Sequence, residues 1–337
     1  MKKTILITGG AGFIGSNAVL YFLRHYPEYR IVTLDALTYA GNTKNIAEVM
    51  THPRHRFIHG DICDRALVED IFLQEGITDV LHFAAESHVD NSIASPDIFV
   101  RTNVHGTFTL LDVARKYWKS EKNRFHHIST DEVYGTLGET GYFTEKTPYA
   151  PNSPYAASKA ASDMLVRSYH HTYGMNTVIT NCSNNYGPRQ HAEKLIPTII
   201  SSALSSAPIP IYGTGKNIRD WLHVDDHCRG IDCVFHKGIS GETYNIGGNN
   251  ERENIDIART ICDILDEKKP RSDGKSYHEQ IAFVRDRAGH DFRYAIDSTK
   301  LRVTLGWKAK EEFSNAMKKT VEWYLAHPSF LEKKEGG

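Results

Sequence analysis

A glycine-rich turn close to the N-terminus constrains the fold of this chain most. The apolar run Thr4–Thr8 leads directly into glycines at positions 9, 12 and 15, and Phe13–His25 repeats apolar residues with helical period. In a strand–turn–helix unit, Gly9 permits the tight turn, Gly12 lets the backbone approach a pyrophosphate, and Gly15 lets helix and strand pack closely. The helix N-terminus then faces the phosphates. The pattern predicts a dinucleotide-binding site.

Acidic residues after the next two predicted strands support this interpretation. Asp35 ends the second strand, 20 positions after Gly15, where a carboxylate binds the adenosine ribose hydroxyls and repels a 2′-phosphate. We therefore expect NAD rather than NADP. Asp61 and Ile62 follow the third strand and are expected to contact the adenine. Successive glycines of this turn are three residues apart, which differs from the commoner dehydrogenase pattern. Without the acidic residues, the glycines could therefore form a purely structural turn.

The order of strands and helices predicts the fold class. Apolar strand-like runs at 30–34, 57–59, 79–83, 125–129 and 177–181 alternate with helical segments at 64–74, 96–117 and 154–173. This alternation indicates an α/β fold with a doubly wound parallel sheet of the Rossmann type. We expect residues 1–185 to form an NAD-binding domain that carries the catalytic residues.

The alternation of strands and helices becomes less regular after about residue 185, where several prolines interrupt the chain. Short strands at 209–212, 220–223 and 243–246 mix with helices at 225–235 and 255–265, and the polar segment 267–276 is expected to be a loop. We expect residues 186–337 to form a smaller mixed α/β C-terminal substrate lobe, with some elements returning to the first domain.

Tyr155 and Lys159 are candidates for hydride-transfer chemistry. They are four positions apart, so they share one face of the predicted helix 154–173. A nearby ammonium lowers a tyrosine pKa from about 10 toward neutrality, so Tyr155 could take a hydroxyl proton while hydride leaves the same carbon. Thr130 could hold that oxygen. A surface Tyr–Lys pair is the alternative, and the glycine turn together with Ser129-Thr130 argues against it.

Asp131 and Glu132 directly follow Thr130 at the end of a predicted strand. Hydride transfer does not require them. Like charges in a closed site push two pKa values apart, so that one carboxyl can donate a proton and the other can accept one. The pair therefore predicts a second reaction, although an exposed turn or a helix N-cap would also use these residue types.

Composition excludes several classes of function. The 337 residues include 40 basic and 41 acidic side chains and no long basic run, which argues against nucleic-acid binding. No stretch of about 18 apolar residues is present, so we expect no transmembrane helix, and Gly9 and Gly10 interrupt the apolar N-terminus before a signal peptide could form.

Five cysteines without a Cys-x-x-Cys pair indicate a reducing cytoplasm. The 18 histidines show no metal-ligand spacing, so we expect no metal site.

Several segments together make the chain resemble a known family. The chain is similar to the nucleotide-sugar branch of the extended short-chain dehydrogenases/reductases, and Thr130-Asp131-Glu132 resembles the dTDP-glucose 4,6-dehydratases within it. The resemblance runs from residue 5 to about residue 310. The other matching segments are AAESHVD (84–90), TNVHGT (102–107), CSNNYGP (182–188), EKLIP (193–197), RDW (219–221) and DRAGHD (286–291).

The resemblance implies a complete reaction on dTDP-glucose. NAD removes hydride from sugar carbon 4 with Tyr155 as the base, and the new ketone makes the proton on carbon 5 acidic. Glu132 takes that proton, and Asp131 protonates the departing hydroxyl of carbon 6. Hydride then returns to carbon 6 and gives dTDP-4-keto-6-deoxyglucose. The division of work between the two carboxyls comes from the resemblance, because the residues alone do not assign it.

The resemblance also implies the remaining site residues. The cofactor contacts are Gly9, Gly12, Phe13, Ile14, Gly15, Asp35, Thr38, Asp61, Ile62, Ala84, Ala85, Ser87, Thr102, Tyr155, Lys159 and Asn185. The substrate contacts are Ser87, His88, Thr130, Asn184, Lys194, Leu195, Pro210, Tyr212, Arg219, Asn254, Arg287 and His290. Ala288 stands where relatives often carry proline, which puts the rigidity of that loop in doubt.

The family forms homodimers by pairing the helices 96–117 and 154–173 of two subunits. Val100, Val104, Phe108 and Leu111 give the first helix an apolar stripe. This stripe either meets a second copy, as the resemblance implies, or faces its own sheet.

Other functions remain open from the sequence alone. Within the same family, the chain could be a CDP- or UDP-sugar 4,6-dehydratase, a decarboxylase or an epimerase. A decarboxylase would need a hexuronic acid substrate, and an epimerase would not need the acid pair. A catalytically inactive NAD-binding regulatory protein is the third alternative, but such relatives usually lose the tyrosine or the lysine, and both are present here.

Overall fold

The protein is described by a computed structural model that covers residues 3–286 and 290–332. Within these residues, a seven-stranded sheet pairs its strands in parallel throughout. The strands of this sheet and of two smaller sheets are, in chain order, β1 Thr4–Thr8, β2 Arg30–Asp35, β3 His55–His59, β4 Asp79–His82, β5 Phe125–Thr130, β6 Thr177–Cys182, β7 Asn184–Tyr186, β8 Ile209–Tyr212, β9 Ile218–His223, β10 Thr243–Ile246, β11 Glu251–Glu253 and β12 Ile281–Val284.

Helices separate most of these strands. In the described ranges they are α1 Phe13–His25, α2 Arg65–Glu75, α3 Val89–Ala94, α4 Pro96–Phe99, α5 Thr107–Tyr117, α6 Pro154–Tyr173, α7 Leu195–Leu204, α8 Val224–Lys237, α9 Asn254–Lys268, α10 Thr299–Leu305 and α11 Phe313–Ala326. No helix among the described residues is long and apolar enough to cross a membrane.

The strand order confirms the predicted doubly wound sheet. It runs β10-β6-β5-β4-β1-β2-β3, so the chain moves from β1 toward one edge and then returns to build the other half from β4. The crevice outside the carboxyl ends of β1 and β4 is therefore the topological switch point, where such sheets bind ligands. Both the glycine turn after β1 and the pair Asp131-Glu132 after β5 lie at this edge.

Apolar residues cover both faces of the sheet. Ile5 and Ile7 of β1 belong to a core with α1 and α8, whereas Leu6 between them belongs to a core with α2, α5 and α6. Successive side chains of a strand point to opposite faces, and this explains why the three central residues of β1 are all apolar. A separate core joins α7, α9 and α11 to β8, and it lies in the C-terminal half of the chain.

The C-terminal half is connected to the large sheet. β10 pairs with β6 at its edge, and Ile231 and Val234 of α8 share a core with Ile5 and Phe22. These contacts explain how elements beyond residue 185 support the first half. The division into domains at residue 185 stays a prediction.

The predicted helix 96–117 differs from the observed one. Its middle, Val100–Gly106, is a π-helical turn between α4 and α5. Asn103 lies in this turn, where its side chain accepts a hydrogen bond from the backbone N–H of Glu86 at 2.8 Å and donates to the hydroxyl of Ser158 at 2.8 Å. A wider turn at this point connects the helix to the loop that follows β4.

The apolar stripe of this helical segment divides between two environments. Leu111 is fully buried in its own core, whereas Val100 and Phe108 are exposed. Leu111 therefore faces its own core, and contact of the exposed part of the stripe with a second copy stays a prediction. The predicted loop 267–276 begins slightly later, because α9 continues to Lys268.

Gly15 is required by a close approach inside the glycine turn. A Cβ atom at this position would lie 2.1 Å from the backbone oxygen of Gly9, whereas a Cβ atom at Gly138 would meet nothing within 4 Å. We expect Gly15→Ala to lower the free energy of unfolding by about 1–3 kcal/mol, because backbone must move to relieve the clash. Urea denaturation measures this difference. Gly138→Ala is the matched control, and equal stability of the two variants would contradict the packing role of Gly15.

Candidate active site

A cavity of about 460 Å³ lies at the carboxyl ends of the parallel strands. It contains all five residues predicted to be catalytic and all sixteen predicted to contact the cofactor. Ser87, Thr130, Asn184 and Lys194 from the predicted substrate set also line it. The fold thus brings together segments that are far apart in sequence. The individual roles of these residues stay predictions.

Several predicted substrate residues do not line this cavity. They are His88, Leu195, Pro210, Tyr212, Arg219, Asn254 and His290, and Arg287 lies outside the described residues. Arg219 is nevertheless close enough to influence the charge of Asp131. Asn254 has a buried side-chain oxygen with no hydrogen-bond partner in the structure, as expected of a group that awaits a ligand.

The cavity also contains residues that sequence analysis did not select. Tyr39, Glu86, Arg101, Cys182, Ser183, Gln190 and His191 all line it. Tyr39 follows β2 and its hydroxyl lies 3.1 Å from that of Ser87. Because Tyr39 comes from a loop without periodicity or motif, no local signal indicated its position.

The glycine turn has the geometry of a phosphate-binding site. Gly9 has a positive φ of 69°, which favours glycine, and its amide donates to the oxygen of Leu34 at 2.8 Å. Gly12 is the N-cap of α1 and provides no side chain to cap the helix. The first amides of α1 are therefore left for an anion in the cavity.

Asp35 suits the ribose of a dinucleotide. Its two carboxylate oxygens accept hydrogen bonds from the backbone amides of Ala11 and Leu37, each at 2.8 Å. These bonds fix the carboxylate at the end of β2. The glycine turn fits the phosphates of NAD, and the carboxylate of Asp35 fits its ribose. No group of three or more His, Cys, Asp or Glu within the described part of the chain could hold a metal ion.

The reactive residues meet where β5 and α6 approach each other. β5 ends at Thr130, and a short 3₁₀ turn, Asp131–Tyr134, follows it directly. Tyr155 lies in the first turn of α6, behind the N-cap of Ser153. Thr130 is close enough to Tyr155 to lower the pKa of its phenol. The predicted proximity of Thr130, the acid pair and Tyr155 is therefore present in the structure.

Lys159 is held at the back of the cavity. Its ammonium donates to the backbone oxygen of Ile128 at 2.8 Å and lies 3.3 Å from Nε2 of His127. Burial lowers the pKa of Lys159 to about 8, although the charge of Asp163 opposes this. Lys159 therefore retains much of its positive charge near neutral pH.

Asp163 lies one helical turn after Lys159 and is fully buried. Its Oδ2 accepts hydrogen bonds from the hydroxyls of Ser129 and Tyr149, both at 2.9 Å, and its Oδ1 lies 3.2 Å from Nε2 of His127. Burial raises the pKa of Asp163 to about 6, against the opposing charge of Lys159. This group was not selected from the sequence, because only the fold places it beside the reactive lysine.

The pKa of Tyr155 contradicts one expectation. Burial, followed by the charge of Glu132, raises the pKa of Tyr155 well above its ordinary value, and the hydroxyl of Thr130 opposes this increase. The expected lowering is absent from the protein alone because the ammonium of Lys159 bonds to the carbonyl of Ile128 rather than to the phenol. Ionisation of Tyr155 therefore needs additional positive charge in the cavity.

The surroundings of Asp131 favour its neutral form. Only 2% of this residue is exposed, and burial raises the pKa of its carboxyl well above the ordinary value, with the charges of Glu132 and Asp220 acting in the same direction. Arg219 partly opposes them. The Oδ2 atom of Asp131 has no hydrogen-bond partner in the structure. A protonated carboxyl with a free oxygen at a cavity wall is suited to donate a proton.

Asp163 generates a testable pH dependence. Its folded pKa of about 6 lies above the value of about 3.9 in an unfolded chain, so its stabilising contribution is present at low pH and is lost as the pH rises through 6. Between about pH 5 and about pH 7, wild type should lose about 1 kcal/mol more unfolding free energy than Asp163→Asn. Urea denaturation across this range measures it, with exposed Asp70→Asn as the control. If the unfolding free energies of wild type and Asp163→Asn change equally with pH, the raised pKa of Asp163 is contradicted.

Comparisons with known proteins agree with this site. A family model described as "GDP-mannose 4,6 dehydratase" matches residues 6–320. The chain is 55% identical to the dTDP-glucose 4,6-dehydratase of Xanthomonas campestris pv. campestris (strain B100), over 98% of this chain and 95% of that one.

Two solved structures extend the comparison to the fold. The dTDP-glucose 4,6-dehydratase of Bacillus anthracis in complex with NAD has a TM-score of 0.87 and 45% identity, covering 97% of this chain and 98% of that one. The Streptomyces venezuelae dTDP-glucose 4,6-dehydratase, also with NAD bound, has a TM-score of 0.90 and 45% identity, covering 98% and 99%. With this likeness over nearly its whole length, the chain belongs to the dTDP-glucose 4,6-dehydratase family.

Proposed function

We propose that this protein converts dTDP-glucose into dTDP-4-keto-6-deoxyglucose, as a hydro-lyase that uses bound NAD. The observation that carries this proposal is the buried Asp131, whose carboxyl pKa is raised by burial, next to Glu132 in the same cavity as Tyr155. An oxidation needs a base at one carbon only. Loss of water needs a proton acceptor and a proton donor beside each other, and this site provides both.

NAD would be held by the glycine turn, the N-terminus of α1 and the carboxylate of Asp35. Bound NAD supplies an acceptor for the hydride of sugar carbon 4 and a donor for its return to carbon 6. The relatives from Bacillus anthracis and Streptomyces venezuelae were solved with NAD, which supports the same cofactor here. Asp35 is placed to disfavour a 2′-phosphate.

Tyr155 is the proposed base for the first step. Its phenolate takes the proton from the hydroxyl of carbon 4, while Thr130 orients that oxygen. Lys159 contributes positive charge, which favours the phenolate. Its position is fixed by the carbonyl of Ile128, so the charge remains behind the phenol during the reaction.

Glu132 and Asp131 are proposed to perform the elimination. A ketone at carbon 4 acidifies the proton on carbon 5, and Glu132 takes that proton. Asp131 donates its own proton to the hydroxyl on carbon 6, which leaves as water. The raised pKa of Asp131, caused mainly by burial, keeps this carboxyl protonated until the leaving group needs it.

The substrate contacts are proposed to surround the mouth of the cavity. Asn184 and Lys194 line the cavity itself, and Lys194 donates to the backbone oxygen of Ser87 at 3.4 Å. Arg219 and the unpartnered oxygen of Asn254 are proposed to bind the diphosphate and nucleotide portions. The remaining proposed contacts are Ser87, His88, Thr130, Leu195, Pro210, Tyr212 and His290; Arg287 lies outside the described residues.

A cytoplasmic location is also proposed. The cysteines Cys63, Cys182, Cys228, Cys233 and Cys262 are all free thiols in the structure. Free thiols are typical of a reducing compartment, and this supports the proposal.

The proposed activity is tested with a panel of nucleotide sugars. We expect dTDP-glucose, incubated with the protein and NAD, to give a 4-keto-6-deoxy product faster than UDP-glucose or CDP-glucose does. Mass spectrometry and NMR of the product distinguish loss of water from epimerisation. Absence of product from dTDP-glucose at saturating NAD would contradict the proposal.

A variant of the acid pair provides the matched control for this experiment. Asp131→Asn combined with Glu132→Gln keeps the shapes of both side chains but removes the proton donor and acceptor. We expect this double variant to oxidise carbon 4 and to retain the hydroxyl on carbon 6, with dehydration slowed by about 10²-fold or more. Normal dehydration by the double variant would show that the carboxyl pair does not act in the elimination.

A homodimer through the segments 96–117 and 154–173 is proposed as the assembly. Val100 and Phe108 on the first segment and Met164 on the second are exposed apolar side chains. A second copy packed against them would remove this surface from water. These exposed residues support the proposal, together with the resemblance to a family that pairs the same helices.

Val100→Asp tests this interface. A buried, unpaired carboxylate at the contact should weaken the dimer by at least about tenfold in its dissociation constant. Light scattering coupled to size-exclusion chromatography measures the mass across a dilution series. Val303→Asp is the matched control, because Val303 is also an exposed valine but lies on α10. If Val100→Asp and Val303→Asp have the same mass at every dilution, the interface is elsewhere.

A further inference from the structure

The proposed reaction leaves one proton on the wrong residue at the end of each turnover. Tyr155 gains the proton from the hydroxyl of carbon 4, and Asp131 loses a proton to the departing water. Glu132 takes a proton from carbon 5 and returns one to the same carbon, so its charge is restored. Tyr155 therefore ends with an additional proton and Asp131 ends without one. A second turnover requires the reverse arrangement of these two residues.

The hydroxyl of Thr130 lies between these two groups. Its Oγ1 lies 3.5 Å from Oδ1 of Asp131, in the geometry of a donor to that oxygen. It lines the same cavity as Tyr155 and is close enough to lower the pKa of that phenol. The backbone amide of Glu132 donates to the same Oγ1 at 3.3 Å. Thr130 therefore lies beside both residues whose proton content must be exchanged.

The bonding capacity of this hydroxyl matches its surroundings. A threonine hydroxyl has one hydrogen to donate and two lone pairs to accept. The amide of Glu132 occupies one lone pair, which leaves one lone pair for the phenol of Tyr155 and one hydrogen for Asp131. Once the product has left, these three partners use the full bonding capacity of the hydroxyl.

We propose that Thr130 relays a proton from Tyr155 to Asp131 after each turnover and so resets the active site. This role rests on the proposed dehydration. The O–H bond of Tyr155 breaks as its proton passes to Oγ1 of Thr130, and the original O–H bond of Thr130 breaks as that proton passes to Oδ1 of Asp131. No electron is transferred and no further reactant is needed. The new hydroxyl hydrogen of Thr130 then points back to the phenolate, as at the start.

The surroundings of Asp131 increase its affinity for the relayed proton. Its carboxylate is buried beside the negative charge of Glu132, so it binds a proton more strongly than an ordinary aspartate does. Only 2% of Asp131 is exposed, which restricts direct protonation by bulk water. A relay through an adjacent hydroxyl removes the need for the site to open to solvent between turnovers.

The relay is tested by comparing the first turnover with later ones. Thr130→Ser keeps the hydroxyl, whereas Thr130→Val keeps the shape and removes it. Each holoenzyme is mixed with excess dTDP-glucose and quenched at short times, and the product per active site is counted. We expect Thr130→Val to form about one product per site and then to slow by at least about tenfold, within the range of general acid–base effects. Thr130→Ser should show no such slowing.

A fluorinated substrate separates the relay from the other roles of Thr130. In dTDP-6-deoxy-6-fluoroglucose, fluoride leaves as an anion, so Asp131 keeps its proton and cannot accept one from Tyr155. Tyr155 then loses its additional proton by a route outside the relay, in wild type as in Thr130→Val. With this substrate, wild type and Thr130→Val should therefore show the same ratio of later to first turnover rates. A greater slowing of Thr130→Val than of wild type with both substrates, or with neither, would overturn the relay. Thr130→Ala carries the same expectations should Thr130→Val not fold, and absence of any product with wild type would instead contradict the proposed dehydration.

Discussion

The removal of Asp131 from water is the interaction on which the chemistry of this site depends. At the surface, a carboxyl beside another acid would be ionised and could not give a proton to a leaving hydroxyl. At the end of β5, burial and the neighbouring charge of Glu132 raise its pKa. The buried parallel sheet is therefore more than a support for the proposed cofactor, because burial at the end of β5 favours the protonated form of Asp131.

The same sheet explains why the other groups meet at this point. Reversal of the strand order between β1 and β4 opens a crevice, and the glycine turn allows the backbone of β1 to pass close to Ala84. On the far side, α6 places Tyr155 in the cavity and Lys159 behind it. Oxidation and elimination can then act on neighbouring carbons of one bound sugar without any movement of the substrate between sites.

Local patterns in the sequence were sufficient for the strands of the large sheet and for the glycine turn, because both depend on neighbouring residues. Tyr155 and Lys159 could be found for the same reason, since helical spacing places them together. The π-helical turn at Val100–Gly106 could not, because it depends on contacts of Asn103 with distant residues. The direction of the Tyr155 pKa shift could not be predicted from the sequence either. It depends on burial and on the hydrogen bond that Lys159 donates to the carbonyl of Ile128.

The central claim is that one hydride leaves carbon 4 and returns to carbon 6 while a proton is exchanged at carbon 5. Substrate labelled with deuterium at carbon 4 tests this most directly. The account predicts dTDP-4-keto-6-deoxyglucose with the deuterium at carbon 6, and, in heavy water, an additional solvent deuterium at carbon 5. Deuterium that remains at carbon 4, or that is lost to solvent without reaching carbon 6, would contradict the account.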